Sequence, residues 1–364
     1  MMMMPLPINN RTSQNIRFDS ICSQSDTDHI ESPPQFNRVS SELNSLLTTP
    51  VVFFVFNRPD TTEKVFNAIR QVRPTKLYVI SDGPRPEREG ELEKVKAARE
   101  IATNLDWECE LITVYSDTNL GCKRRISSGI DIVFANERDA IFLEDDCIPE
   151  RTFFFYCQEL LSYYRENEQV VFINGMNHIG QTSEGIKESY YFTRYPHVHG
   201  WASWSYKWTG EYDVDLAELS DLQKRNELRK YFETRQETRF WRKKFTEVHC
   251  GQIDTWDYQV SYWLLSRKKL AIAPRVNLIT NIGYFREDAT HTRGGGKFAN
   301  LLVHELNTPL THPITISPNT AFDRIESLDY RIPNLLQRIL SRIWLSAAAF
   351  FIGANGKTFF LCDL

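Results

Sequence analysis

Residues Val51 to Phe56 read Val-Val-Phe-Phe-Val-Phe, an unbroken apolar run that suits a strand buried on both faces, as in a parallel sheet. A helical pattern follows at once. Asp60 offers an N-cap with Glu63 three residues on, and Val65, Ala68, Ile69 and Val72 fall on one face. The alternation then repeats: strand Leu77 to Ile80, helix Arg88 to Leu105, strand Leu111 to Tyr115, and a helix carrying Ile126, Ile130, Val133 and Phe134. A short strand from Ala140 to Leu143 and a helix from Thr152 to Glu166 complete it. Such alternation predicts an α/β fold with a doubly wound, mostly parallel sheet and helices on both faces.

Around this core the chain divides in three. Residues 1–49 are rich in Ser, Asn, Thr, Gln and Asp and lack the apolar segment of a secretory signal, so they read as a disordered leader. Residues 50–292 are the expected catalytic domain. Residues 293–364 hold the Gly294-Gly295-Gly296 run, which reads as a mobile loop, and an amphipathic segment from Asn334 to Ile352 that either packs on the domain or lies on a membrane surface. No stretch reaches the roughly 18 to 20 apolar residues needed to cross a bilayer. With 43 basic and 47 acidic residues there is no positive field to hold a nucleic-acid backbone. The seven cysteines are scattered without a Cys-x-x-Cys pair and read as reduced thiols of a cytoplasmic protein.

Chemistry concentrates where the strands end. Ile141-Phe142-Leu143 runs directly into Glu144-Asp145-Asp146, and loops at the carboxyl ends of strands are where open α/β sheets bind ligands. Three adjacent carboxylates repel one another and are best tolerated beside a hard divalent cation such as Mg2+ or Mn2+; a solvated acidic turn is the plainer reading. Asn57-Arg58 follows the first strand beside a helix N-terminus, a place suited to anions. Asp82, after the second strand, either accepts from a base or ribose hydroxyl or starts a turn with Gly83. Downstream, an aromatic and Gly-punctuated stretch containing Trp201 and Trp204 suits an acceptor-side surface. Asp257 opens a helix whose Trp256, Val260, Trp263 and Leu264 share one face.

The ordered series VFFVFNRPDTTEKVFNAI, LYVISDGP, YSDTNLGCKRRISSGIDIVF, AIFLEDDCIPERTFFFYCQELL, GWASW, TWDYQ and NLITNIGYFREDATHT resembles the GT-A glycosyltransferases, in particular the N-acetylglucosaminyltransferase I-like group and bacterial family-2-like relatives, over about Val51 to Thr292. The resemblance implies a metal-dependent, inverting transfer of a sugar from a nucleotide-diphosphate donor, a UDP-sugar foremost, to a glycan or lipid-linked acceptor. Asp146 would ligate Mn2+ or Mg2+; Glu144 and Asp145 would lie against the donor's ribose and sugar. Arg58, Asp82 and the turn bearing Lys123 and Arg124 would face the nucleotide. Asp257 would be the base, with Asp254 as the alternative. His291 stands as a candidate metal or diphosphate contact, whereas His197 and His199 read as structural. Two other classes compete. A sugar-phosphate nucleotidyltransferase would need a Gly-rich first loop, which Phe56 to Asp60 is not. An inert carbohydrate-binding protein of the same fold would not need the carboxylates.

Overall fold

Strand β1 (Val51–Val55) is buried at every position, and its side chains part by the two-residue period of a strand. Val51, Phe53 and Val55 enter one apolar cluster, while Val52 and Phe54 enter another on the opposite face. The chain, a computed structural model, is described for residues 46–232, 234–288 and 298–329. Residues 1–45 of the expected leader, the Gly294-Gly295-Gly296 run and the Asn334 to Ile352 segment lie outside the described residues, as does His291; of the rest, Leu47 is buried and the Thr49 amide donates to Gln158 Oε1 at 3.0 Å.

Helix α1 (Pro59–Val72) starts one residue before the expected cap, because proline at the first helical position presets φ and has no N–H to satisfy. Arg58 thus occupies the N-cap position, at the rim of the sheet. Then come β2 (Lys76–Ser81), α2 (Glu91–Thr103), β3 (Glu110–Tyr115), α3 (Gly121–Phe134) and β4 (Asp139–Glu144). The middle of the chain holds β5 (Cys147–Pro149), α4 (Thr152–Tyr163), β6 (Val170–Asn174), β7 (Tyr190–Thr193), β8 (Trp201–Trp204) and α5 (Ser205–Trp208). Helices α6 (Leu219–Lys224), α7 (Arg235–His249) and α8 (Asp257–Arg267) precede β9 (Leu270–Pro274), β10 (Ile279–Asn281) and α9 (Thr320–Asp329).

Eight strands form one sheet in the order β3-β2-β1-β4-β8-β6-β9-β7, and β10 pairs with β5 in a separate antiparallel ribbon. The pairings β3-β2, β2-β1, β1-β4 and β6-β9 are parallel, while β8 and β7 run against their neighbours. The sheet is therefore mostly parallel, as the strand–helix alternation predicts. Its two antiparallel strands belong to the aromatic stretch, where no helical crossover separates successive strands.

That stretch overturns one expectation. Trp201 and Trp204 are 2% and 0% exposed, so neither ring offers an acceptor platform. Trp201 stacks between Phe142 at 4.1 Å and Phe172 at 4.7 Å. Each such pair contributes about 0.5–1.5 kcal/mol beyond its buried area. The Trp204 indole donates to the Leu161 carbonyl at 2.9 Å. Both rings glue β8 to its neighbours. Helices α6, α7 and α8 bury a further cluster around Leu228, Trp241 and Phe245. Past the ribbon, the chain returns to the sheet, and α9 is held there by Asp323, which accepts from Thr193 Oγ1 at 2.6 Å and Arg194 Nε at 2.8 Å.

Candidate functional site

Because β1, β2 and β4 are parallel neighbours, the residues that follow them meet at one edge of the sheet. Glu144 ends β4, and Asp145 and Asp146 lead into the ribbon. From the loop after β1, Arg58 Nη1 donates to Asp146 Oδ2 at 3.1 Å and lies 3.9 Å from Asp145 Oδ1. The Phe56 amide donates to Asp145 Oδ2 at 3.3 Å. The ribbon supplies the rest: Asn281 Nδ2 donates to Asp146 Oδ1 at 3.2 Å, and Cys147 Sγ lies 3.3 Å from the same oxygen. Both oxygens of Asp146 are therefore oriented by neighbours. Gly283 makes room for it, since a Cβ there would stand 2.0 Å from Asp146 Oδ2.

Too few positive charges face these acids. Burial, with Asp146, Asp145 and Asp257 adding repulsion, pushes Glu144 well above the usual carboxylate range against the pull of Arg58. Burial outweighs Arg58 at Asp145 as well and, with Asp146, carries it up to about 7. Burial alone would lower Arg58, yet Asp145, Asp146 and Asp288 together raise it. Asp288 lies 3.7 Å from Arg58 Nε and also pairs at 2.8 Å with Arg286, which pairs with Asp60 and pulls Asp145 down. Among the described residues, Arg58 thus pairs with a cluster of Asp145 and Asp146 beside Glu144, which also feels the charge of Asp257. The all-oxygen donor set and its surplus of negative charge fit Mg2+ or Mn2+, which are held by one or two carboxylates with substrate phosphates and water.

Asp257 bears on these acids from another element, the first turn of α8, where Thr255 Oγ1 donates to its Oδ1. Its charge is felt by Glu144, His199 and Tyr284. Asp254 is spent differently. Its carboxylate accepts from the amides of Cys122 at 3.0 Å and Lys123 at 3.2 Å, capping α3 from outside. Asp82 completes that cap, accepting from the amides of Leu120 at 2.9 Å and Gly121 at 3.0 Å. Gly121, at φ +80, allows the approach: a Cβ there would lie 2.6 Å from Asp254 Oδ2. The α3 N-terminus, which would otherwise attract a phosphate, is already satisfied by two protein carboxylates.

Other expected donor contacts also face protein. Lys123 Nζ and Arg124 Nη2 both turn to Asp215 at 2.9 Å. Asn57 Nδ2 donates to Glu91 Oε1 at 2.8 Å, tying the β1 loop to the start of α2. Arg125, the next residue along, was not singled out by the sequence. It is 7% exposed, and its Nε and Nη2 have no hydrogen-bond partner among the described residues. Burial lowers its pKa while Asp82 opposes the loss of charge. The available signal was its spacing: Arg125, Ile126, Gly129, Ile130 and Val133 all share the buried face of α3. His199 Nδ1 is a second buried atom without a partner. Burial lowers this imidazole's pKa, and Asp146 and Asp257 pull the other way.

No protein-family model and no curated protein matches the sequence. Solved structures do overlap it. The mannosyltransferase PcManGT from Pyrobaculum calidifontis, in complex with GDP-Man and Mn2+, matches at TM-score 0.34 and 10% identity over 60% of this chain and 68% of that one. Mouse xyloside xylosyltransferase 1 matches at 0.30 and 11% over 61% and 82% of the two chains. A UDP-glucose pyrophosphorylase complexed with UDP-glucose matches at 0.31 and 8% over 62% and 90%. Overlaps this loose carry no role onto any residue here.

Proposed function

We propose that this chain is a metal-dependent, inverting glycosyltransferase whose catalytic domain spans residues 50–292 and which moves a sugar from a nucleotide-diphosphate donor to a hydroxyl acceptor. One observation carries the reading: at the carboxyl edge of the sheet, the Glu144-Asp145-Asp146 triplet that ends β4 is joined by Arg58 and feels the charge of Asp257 from α8. A charge surplus of this kind suits a bound cation on one side and a proton acceptor on the other. Asp146, preoriented by Arg58 and Asn281, would hold Mn2+ or Mg2+, with Asp145 and Glu144 beside it. When bound, the ion supplies Lewis-acid stabilisation to the departing diphosphate.

The protein's own groups do the remainder. Arg58 is placed to take a phosphate oxygen as a charge-assisted partner. Arg125, whose Nε and Nη2 have no hydrogen-bond partner among the described residues, would contact the nucleotide part of the donor. Glu144, whose carboxyl burial pushes upward, would lie against the donor's sugar and bond one of its hydroxyls. Asp257 takes the proton of the attacking hydroxyl from the side opposite the leaving group, at about 3 Å. Asp254 cannot serve in its place without uncapping α3. Calorimetry with UDP, with and without Mn2+, tests the assignment. Asp146→Ala should abolish the metal-dependent part of UDP affinity in a protein that keeps its circular dichroism; unchanged affinity would sink it.

A further inference from the structure

Away from the carboxylate hollow, a second set of ligating side chains converges in the interior. His178 follows β6, His197 lies between β7 and β8, and Glu326 comes from α9. One ligand atom from each lies within 4.8 Å of the others. His197 Nε2 is 3.0 Å and His178 Nδ1 is 3.8 Å from Glu326 Oε1, and all three side chains are at most 7% exposed. We infer that His178, His197 and Glu326 bind a divalent transition-metal ion, Zn2+ foremost, that staples α9 to the β6–β8 side of the sheet.

Three observations support this. Zn2+ with nitrogen and oxygen ligands at about 2.0–2.1 Å sets ligand atoms about 3.3 Å apart in a tetrahedral site, and the observed 3.0 and 3.8 Å bracket that spacing. Two imidazoles and a carboxylate form a borderline donor set, unlike the all-oxygen hollow, so the two sites select different metals. The Tyr191 hydroxyl, in a residue 4% exposed, has no hydrogen-bond partner among the described residues. A metal or its bound water beside Glu326 would supply the missing partner. On the same helix Asp323 is already paired, held by Arg194 at 2.8 Å. Phe298 stacks on His178 at 3.8 Å and closes the apolar wall that fixes the ring.

The test uses full-length protein stripped with a chelator and titrated with Zn2+ against a chromophoric competitor. Wild type and Asp146→Ala should each take up about one equivalent tightly, with a rise in Tm that Mn2+ does not reproduce; Glu326→Gln and His197→Ala should fall to background. If both variants fail to fold, wild type decides alone: Co2+ must give the visible absorption of a nitrogen-ligated site and Zn2+ must displace it. Absence of stoichiometric uptake by wild type, or equal uptake by folded Glu326→Gln, would overturn the assignment and leave a hydrogen-bonded His197–Glu326 pair.

Discussion

Asp254 and Asp257 lie three residues apart, and their carboxylates do different work because their neighbours differ. Asp254 is bound to two α3 amides, so its loss leaves a helix end unsatisfied. Asp257 accepts from Thr255 and otherwise faces the acids of β4. Asp254→Ala should lower stability by about 1 kcal/mol, as loss of a cap does, measured by urea denaturation. Asp257→Asn should fold with wild-type stability and keep Mn2+ and UDP affinity, yet turn over roughly 10²-fold or more slowly. The two effects must separate; a turnover loss confined to Asp254→Ala would exchange their roles. Arg58→Ala should weaken UDP binding by about 1.5–3 kcal/mol, the range for hydrogen bonds to charged groups. Calorimetry reads it directly, and an effect on acceptor alone would move Arg58 out of the donor site.

At the scale of elements, the ribbon of β5 and β10 sets the geometry of Asp146 without contributing to the main sheet. Gly283 lies just past β10, and a methyl group there would displace the Asp146 carboxylate. Gly283→Ala should therefore reproduce the loss of Mn2+-dependent UDP affinity expected of Asp146→Ala while the Glu144, Asp145 and Asp146 side chains all remain. Normal affinity would show that Asp146 has room to move. Helix α5 carries a different constraint. Lys207 Nζ donates to the carbonyls of Tyr164 and Val170 at 2.8 Å and sits 3.4 Å from the centre of the Trp204 ring. Burial, with Lys269 nearby, lowers its pKa to about 7. A lysine depressed below its unfolded value of about 10.4 costs stability in full below pH 7, and the cost fades as pH rises toward the unfolded value. Wild type should thus gain stability relative to Lys207→Met between about pH 7 and pH 10, read by paired denaturation curves. A constant difference across that range would mean the ammonium is fully compensated by its carbonyls.

For the molecule as a whole, the strand–helix alternation from Val51 to Glu166 was open to reading because each element carries its own periodicity. An apolar run with two buried faces and helices with one apolar stripe specify a mostly parallel sheet locally. The position of Glu144-Asp145-Asp146 at a strand end was equally plain, since the chain passes there from apolar to charged in one step. Where charge and aromatic residues mix, local pattern loses its meaning. Trp201 and Trp204 look like a surface and are core, because β8 is inserted antiparallel between β4 and β6, an arrangement set by contacts far apart in the chain. Lys123 and Arg124 turn to Asp215, and Asp82 and Asp254 close α3, all through partners that no spacing reveals. The sequence alone therefore determined the kind of sheet and the acidic edge, both consequences of short-range periodicity. Only the tertiary structure decided that Asp254 caps α3 while Asp257 bears on Glu144, that Arg125 is buried, and that His178, His197 and Glu326 meet, because each depends on long-range packing and on which buried charges find partners.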